Sequence, residues 1–199
     1  MVLRRALAAA LFLACLPAQV IEFESGGLHY LTQTRNSVTV MFAQLPTHIR
    51  EYAILQVAIS NGSSRTWNFR PQDFKFRKAD GASMEGLPAS QVVQEFMKRG
   101  GRDDVIKLVT TYEGALYGVT RPKSTNGYEV RRQQVMAEVQ STRLKAAAAA
   151  SAIVMVPSKL KPGESTDGAV FYLNNGHPLS NGKLVVEGGG TVFEFEVQK

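Results

Sequence analysis

The order of two kinds of segment along the chain most constrains its fold. Short runs rich in β-branched and aromatic residues occupy residues 28–77 and 153–197, and turn signals such as Asp80-Gly81 separate them. Helical patterns fill the stretch between, at about 88–150. This order predicts a mainly β fold of the α+β type: an antiparallel β-sandwich with two or three helices inserted between the early and late strands.

The helical stretch has recognisable starts and stops. Ser90 can cap a first helix, Gly100 ends it, and Asp103 favours the start of a second helix. No glycine or proline interrupts residues 128–150, which end in five alanines. Because alanine has the highest helix propensity, this segment is expected to be one continuous helix. A strand is expected to follow directly at 153–156.

Residues 1–18 have the order of a secretory signal peptide. Arg4 and Arg5 precede an apolar run of about ten residues, and Pro17 and Ala18 follow it. The run is too short for a membrane span, which needs roughly 20 residues. The alternative is a buried N-terminal helix, which the absence of a polar face disfavours. The chain is therefore expected to be exported, to the periplasm or the extracellular space, and bacterial.

The chain has one cysteine, Cys15, and it lies inside this segment. Cleavage after Ala18 would leave no thiol and no disulfide, and loss of Arg4 and Arg5 would lower the formal charge from +6 to +4. The alternative is a lipid anchor on Cys15, because Ala14 before it fits the lipoprotein pattern.

The remaining chain, 19–199, is long enough for one domain with a core of its own. We expect a single β-sandwich domain with a helical insertion at about 88–150, which a short flexible linker should be able to replace. The alternative is two domains, one β and one α. It is disfavoured because the early and the late strands would each form a poor core alone.

Two blocks of sequence, residues 52–81 and 159–173, resemble immunoglobulin-like domains of bacterial secreted proteins and lipoproteins. In the first block a strand ends in Asn and small residues, and a P-x-x-F strand leads to an Asp-Gly turn. The second block carries an L-x-P-G-E-S turn and an aromatic strand, through Leu160, Pro162, Gly163, Glu164, Ser165, Gly168, Val170 and Phe171. The resemblance implies an immunoglobulin-like sandwich, and it implies no catalytic residues.

Motifs for catalysis or for metal and cofactor binding are not found in the sequence. None of the three histidines, His29, His48 and His177, has metal-ligand spacing to another histidine or to the cysteine. We expect each to be a surface residue, and we predict no catalytic residues, no metal and no cofactor. Carboxylates that could act in pairs are Asp80, Asp103, Asp104, Glu113 and Asp167.

A basic cluster around the last helix is the candidate partner surface: Tyr128, Arg131, Arg132, Arg143 and Lys145. A second basic group is Arg65, Arg70, Lys75, Arg77 and Lys78. Such groups attract acidic partners, although a solvated helix face is the commoner explanation. The predicted partner is a protein or an acidic envelope polymer, and no nucleic acid is expected because the chain is exported.

The sequence thus predicts an exported, non-catalytic binding or structural protein of the cell envelope or periplasm. Two alternatives stay open. One is an exported hydrolase that uses carboxylates at a sandwich edge, and the other is a lipid-anchored envelope lipoprotein.

The mature protein is expected to begin near Gln19, because cleavage after a small residue follows the basic and apolar regions. Intact mass spectrometry of the exported protein checks this. A diacylated Cys15 would replace the prediction by the lipoprotein alternative, and a retained Met1 would contradict both.

Overall fold

Strands make up most of the structure. The computed structural model describes residues 19–46, 48–117 and 141–198, and within these ranges the side chains of 111–117 are not described. The strands, in chain order, are β1 (Val20–Ser25), β2 (Leu28–Arg35), β3 (Val38–Gln44), β4 (Tyr52–Asn61), β5 (Trp67–Phe69), β6 (Phe74–Lys78), β7 (Ser83–Glu85), β8 (Ser158–Leu160), β9 (Ser165–Leu173), β10 (Gly182–Gly188) and β11 (Thr191–Val197).

Three helices lie between β7 and β8 in the described part of the chain: α1 (Ala89–Arg99), α2 (Arg102–Tyr117) and α3 (Thr142–Ile153). One turn of 3-10 helix, Pro71–Asp73, precedes β6. None of these helices is long and apolar enough to cross a membrane. The mainly β composition, with helices between the early and late strands, is confirmed.

Among residues 19–46, 48–117 and 141–198, the paired strands run antiparallel and form three sheets. The first sheet has the order β1-β2-β3-β4-β9, and the second has the order β11-β10-β6-β7. A small third sheet pairs β5 with β8. Strand β9 comes late in the chain but pairs with β4, and β10 pairs with β6, so each large sheet combines early and late strands.

The two large sheets pack face to face around an aromatic core. Side chains alternate across a strand, so Leu55, Val57 and Ile59 of β4 point to one face of the first sheet. That face packs against inward side chains of the second sheet, including Phe76 and Phe195. Facing residues come from both sheets throughout this core, among them Val38, Val40, Phe42, Phe74, Leu184, Val186 and Phe193.

A buried tyrosine also links the two sheets. The hydroxyl of Tyr172 in β9 donates a hydrogen bond to the backbone carbonyl of Phe74 in β6, at 3.3 Å. Burial raises the pKa of this hydroxyl, so Tyr172 stays protonated and acts as a donor.

The helices cover the opposite face of the first sheet. Tyr30, Ile54 and Phe171 from that face form a second core with Phe96 of α1, and Phe96 lies 6.5 Å from Phe171 between ring centroids. Helix α3 contributes small residues to this core: Ala146, Ala147, Ala149, Ala150 and Ala152, with Ile153. The first sheet is therefore covered on both sides, and the layers run helices, first sheet, second sheet.

Asn61 joins the two blocks that resemble immunoglobulin-like domains. Its side chain is fully buried, and its Nδ2 donates hydrogen bonds to the carbonyls of Arg65 at 2.7 Å and Leu160 at 3.0 Å. The backbone of Asn61 also bonds to Gly163 and Glu164. The turn after β4 and the turn before β9 thus lie against each other.

Ion pairs attach the corner between α1 and α2 to the turn between β3 and β4. Arg50 donates from Nε and Nη2 to one carboxylate oxygen of Asp104, at 3.0 and 2.7 Å, and from Nη2 to the carbonyl of Arg99. The same oxygen of Asp104 accepts a bond from the Gly101 N–H at 2.8 Å, which caps the start of α2. Arg50 has φ of 54°, a left-handed conformation that these bonds help to hold.

A second pair at this corner involves Glu51, whose carboxylate accepts a hydrogen bond from Arg99 Nη2 at 2.6 Å. Two opposing effects act on the pKa of Glu51. Partial burial alone would raise it, but hydrogen bonds from its own backbone and from Arg99, together with the positive charges of Arg99 and Arg50, lower it by more. The pKa of Glu51 therefore lies below its ordinary value.

The alanine-rich helix differs from its predicted bounds. Ser141 has extended φ and ψ and occupies the N-cap position of α3, so no continuous helix runs through 128–150. Serine favours that position because its side chain competes with helical hydrogen bonds. The helix then continues to Ile153, and Val154 makes only an isolated bridge to Ala169, so the strand predicted at 153–156 is wrong. Residues 128–140 lie outside the described ranges.

Because the helices pack on the first sheet, a short linker in place of residues 88–150 is no longer expected to leave a stable fold. Removing α1 and α3 would expose Tyr30, Ile54 and Phe171, and exposing a buried aromatic or aliphatic side chain costs about 1.5–3 kcal/mol. We now expect this variant to lose cooperative urea unfolding or to aggregate.

A point variant tests the same packing. Phe96→Ala should lower the free energy of unfolding by about 3–5 kcal/mol, because it leaves a cavity beneath α1. Met97→Ala is the matched control, since Met97 is exposed on the same helix and should change stability by less than about 0.5 kcal/mol. Equal effects of the two variants in urea titrations would show that α1 does not complete a core.

The low pKa of Glu51 predicts a pH effect on stability. A carboxylate with a lowered folded pKa stabilises the native state above its unfolded pKa of about 4.3, and this contribution disappears as the pH falls through the folded value. Glu51→Gln should therefore be less stable than the wild type near neutral pH, and the difference should shrink in acid. Urea titrations across this pH range measure it, with Glu24→Gln as the exposed control. A difference that stays constant with pH would contradict the assignment.

Candidate functional site

Two edge strands lie on the same open side of the sandwich. Strand β1 is an edge of the first sheet, and β11 is an edge of the second. Each contains a Glu-Phe-Glu segment, at 22–24 and at 194–196. Phe195 points into the core, whereas Phe23 stacks on Tyr30 at the sheet surface, with ring centroids 5.3 Å apart.

A groove with a volume of about 650 Å³ opens between these edges. The register places Glu22, Leu31 and Phe42 in one row across the first sheet, on the face that meets the second sheet. The full lining is Glu22, His29, Leu31, Phe42, Gln44, Glu196, Val197 and Gln198. We call this the edge groove.

The floor of the edge groove is apolar and packs against the sandwich core. Phe42 belongs to the sandwich core, and Leu31 is partly buried against that core. Phe42 meets Phe195 edge-on with ring centroids 5.0 Å apart. Gln44 at one end is held in place, because its Oε1 accepts a hydrogen bond from the Leu179 N–H at 2.9 Å. The floor is therefore part of the sandwich core itself.

The rim of the edge groove is acidic. Glu22 lies 3.2 Å from His29 Nε2, and both side chains are more than half exposed. Glu196 and Glu194 both bind Lys183, at 3.0 and 3.3 Å. The hydrogen bond to Glu196, and to a smaller extent the one to Glu194, raise the pKa of Lys183, so the lysine stays charged. One lysine is thus shared by two glutamates.

This arrangement suits a ligand that carries a positive charge on an apolar body. Carboxylates at the rim attract a cation, and Leu31, Phe42 and Val197 offer apolar surface below it. The chain as a whole has a formal charge of +6, so a cationic ligand would favour this acidic rim over the rest of the surface.

A second groove, of about 490 Å³, lies at the start of α2. Its lining includes His48, Arg102, Lys107 and the pair Arg50 and Asp104. That pair already holds the α1–α2 corner against the β3–β4 turn. We therefore assign this groove a structural role.

The predicted partner surface is only partly described. Tyr128, Arg131 and Arg132 lie outside the described residues. Arg143 is exposed and Lys145 is half-buried, both in the first turn of α3. This surface stays a prediction.

In the second basic group, two residues form ion pairs and the others are exposed or half-buried. Lys75 binds Glu187 at 3.0 Å, and Arg70 binds Asp73 at 2.7 Å. Arg65 and Arg77 are exposed, and Lys78 is half-buried. The group is therefore partly neutralised by neighbouring carboxylates.

Among the candidate carboxylates, Asp103 and Asp104 line the same groove, and Asp80 and Asp167 lie elsewhere. Asp80 caps a turn by accepting a bond from the Ala82 N–H, Asp104 binds Arg50, and Asp167 is buried in β9. Asp103 lies beside Asp104 in the second groove, and the side chain of Glu113 is not described. All three histidines are exposed, as predicted, but His29 also lines the edge groove.

Sequence reasoning missed the edge groove. Strand β1 was not predicted, and Glu22 and Glu196 were not among the candidate carboxylates. A signal was present, because Ile21 to Glu24 alternates apolar and acidic residues in the same way as Phe193 to Glu196. The pattern does not show that both strands are edges on one side of a sandwich.

Within the described ranges, no group of three or more His, Cys, Asp or Glu side chains is arranged to hold a metal ion. No family model, no curated protein and no solved structure matches the chain. The edge groove is therefore the feature of the described structure from which a function can be inferred.

Proposed function

We propose that the protein is an exported binding protein of the cell envelope or periplasm, and that it holds a cationic, partly apolar group of its partner in the edge groove. The observation that carries this proposal is the combination of an acidic rim, Glu22 and Glu196, with an apolar floor, Leu31 and Phe42. A lysine or arginine side chain has this chemistry, since a charged head is joined to an apolar stem.

The proposal differs from the sequence prediction in the charge of the partner. The basic cluster favoured an acidic partner, whereas the edge groove favours a cationic one. The groove is the stronger basis because its residues come from β1, β2, β3 and β11 and meet in one place. Export itself is supported by the order of residues 1–18. The lipid anchor on Cys15 is the alternative form of attachment.

We also propose that the sandwich is of the immunoglobulin-like type. Two antiparallel sheets that share one core are typical of that class. The contacts of Asn61 with Gly163 and Glu164 bring the two resembling blocks together, which supports the proposal.

The hydrolase alternative has one observation in its favour, because Glu22 and Glu196 line the same groove. Their side chains are 59% and 68% exposed; Glu22 lies beside His29, and Glu196 is in an ion pair with Lys183. A catalytic acid needs a raised pKa, which burial in an apolar site supplies. The exposure of both carboxylates therefore favours binding over catalysis.

Titration with benzylammonium, followed by the backbone amide signals in NMR, tests the binding function. Benzyl alcohol is the neutral control of similar shape. We expect benzylammonium to shift the signals of His29, Leu31 and Gln198, and benzyl alcohol to shift them much less. Replacing each rim carboxylate, in Glu22→Gln and Glu196→Gln, should weaken binding roughly threefold, as expected for an exposed charge pair.

Glu194→Gln is the matched control for Glu196→Gln. Both glutamates bind Lys183, but only Glu196 lines the edge groove. An equal loss of binding in these two variants would mean that general charge, and not the groove, attracts the ligand. Equal shifts with both probes would overturn the proposed cation site.

A further inference from the structure

We propose that the partner binds as an extended segment that adds a strand to the free edge of β1, and that this segment alternates basic and apolar residues. The inference rests on the proposed function and names the partner's chemistry. Four observations carry it: the open edge, the apolar side of β1, the acidic side of β1, and the repulsion that opposes self-pairing.

The outer edge of β1 has no strand partner in the described part of the chain. Strand β1 pairs with β2, through the register Val20↔Gln33 to Ser25↔Leu28. In an antiparallel pair every second residue directs its N–H and C=O away from its neighbour. β1 has six residues, so half of them present backbone donors and acceptors to a strand that arrives from outside.

One side of β1 is apolar and exposed. Ile21 is 59% exposed and Phe23 is 36% exposed. Phe23 lies in one row with Tyr30, which is buried beneath the helix layer. Apolar side chains on an added strand would lie opposite Ile21 and Phe23 and extend the second core outwards.

The other side of β1 is acidic. Glu22 and Glu24 point to the face that carries the edge groove, and their neighbours on β2 are Leu31 and His29. Residues opposite them on an added strand would lie about 4.5–5.5 Å away between Cβ atoms, where opposite charges attract. A lysine or arginine opposite Glu22 would also extend over the edge groove.

The same charges disfavour a second copy of the chain as the added strand. In an antiparallel pair, residues that lie opposite each other point to the same side. Pairing β1 with β1 would therefore place Glu22 opposite Glu22 or Glu24 of the other copy, or glutamates opposite Ile21 and Phe23. The first arrangement repels, and the second leaves apolar side chains against charges. A basic and apolar segment avoids both.

Binding of a short peptide to the mature chain tests the inference. The probe is an acetylated and amidated peptide of about eight residues that alternates lysine and valine, long enough to cover β1. The first control has the same composition in two blocks, all lysines before all valines. The second carries N-methyl groups on every second residue, which removes the backbone donors along one edge. Calorimetry gives the affinities, and hydrogen exchange locates the site.

We expect the alternating peptide to bind, to slow exchange of the amides in residues 20–25, and to bind more weakly as salt rises. Both controls should bind at least about tenfold more weakly, because one lacks the alternation and the other lacks the donors. Blocks of lysine and valine that bind as tightly as the alternating peptide would overturn the strand geometry.

Charge reversal gives a result that misfolding cannot imitate. The double variant Glu22→Lys/Glu24→Lys should lose affinity for the lysine–valine peptide by roughly tenfold and gain affinity for a glutamate–valine peptide. Glu85→Lys/Asp103→Lys changes the formal charge by the same amount away from β1, and it should keep the wild-type preference. Failure of the β1 variant to invert its preference would contradict the inference.

The outcomes separate the inference from the proposed function. Protection of His29, Leu31 and Phe42 by the lysine peptide, without protection of residues 20–25, would leave the cation groove standing and reject strand addition. Concentration-dependent protection of residues 20–25 in the protein alone would identify a second copy as the occupant and reject the basic partner. If the protein does not bind benzylammonium but the lysine–valine peptide still protects residues 20–25, only the cation site in the edge groove is rejected.

Discussion

The first sheet is apolar on both faces, and the rest of the structure depends on covering both. All residues from Tyr52 to Ile59 in β4 are buried, so neither face of this strand can meet water. The second sheet covers one face with aromatic side chains, and the helices cover the other with Phe96 and the alanines of α3. Gln56 shows a cost of this arrangement, because its side-chain amide is buried and neither its nitrogen nor its oxygen has a hydrogen-bond partner among the described residues. A buried polar group without a partner costs about 1–3 kcal/mol.

Within the first sheet, β1 is the strand least covered by the other layers, because most of its residues are exposed. The buried strands therefore stabilise the fold, whereas β1 is available for binding. Strands β3 and β4 lie at the centre and are enclosed by both layers. Strand β1 lies at the margin, with Glu22 and Glu24 on one side and Ile21 and Phe23 on the other. The edge groove lies at the same margin because β11 is also an edge strand. Recognition at this margin leaves both cores undisturbed.

The sequence predicted the elements better than their surroundings. The strands at 52–60 and 191–197 and the helix ending at Gly100 carry strong local patterns, and the structure contains all of them. Strand β1 was missed because a short segment with two glutamates has little apolar area, and its pairing depends on the Gly26-Gly27 turn. The sequence also did not show that the helices are needed to cover one face of the first sheet. A run such as 52–60 indicates that a strand is buried, but it does not show which elements cover each face. The residues of the groove are far apart in the chain, so only the pairing of strands brings them together.

The position of β1 and β11 has a practical consequence for experiments. Strand β1 begins at Val20, and Gln198, directly after β11, lines the edge groove. An affinity tag or fluorescent protein fused directly after Gln198 would adjoin the groove, and one fused directly before Val20 would adjoin the edge of β1. Labels belong instead at the exposed turn of Lys161, Pro162 and Gly163, which lies beside Asn61 and does not line the edge groove.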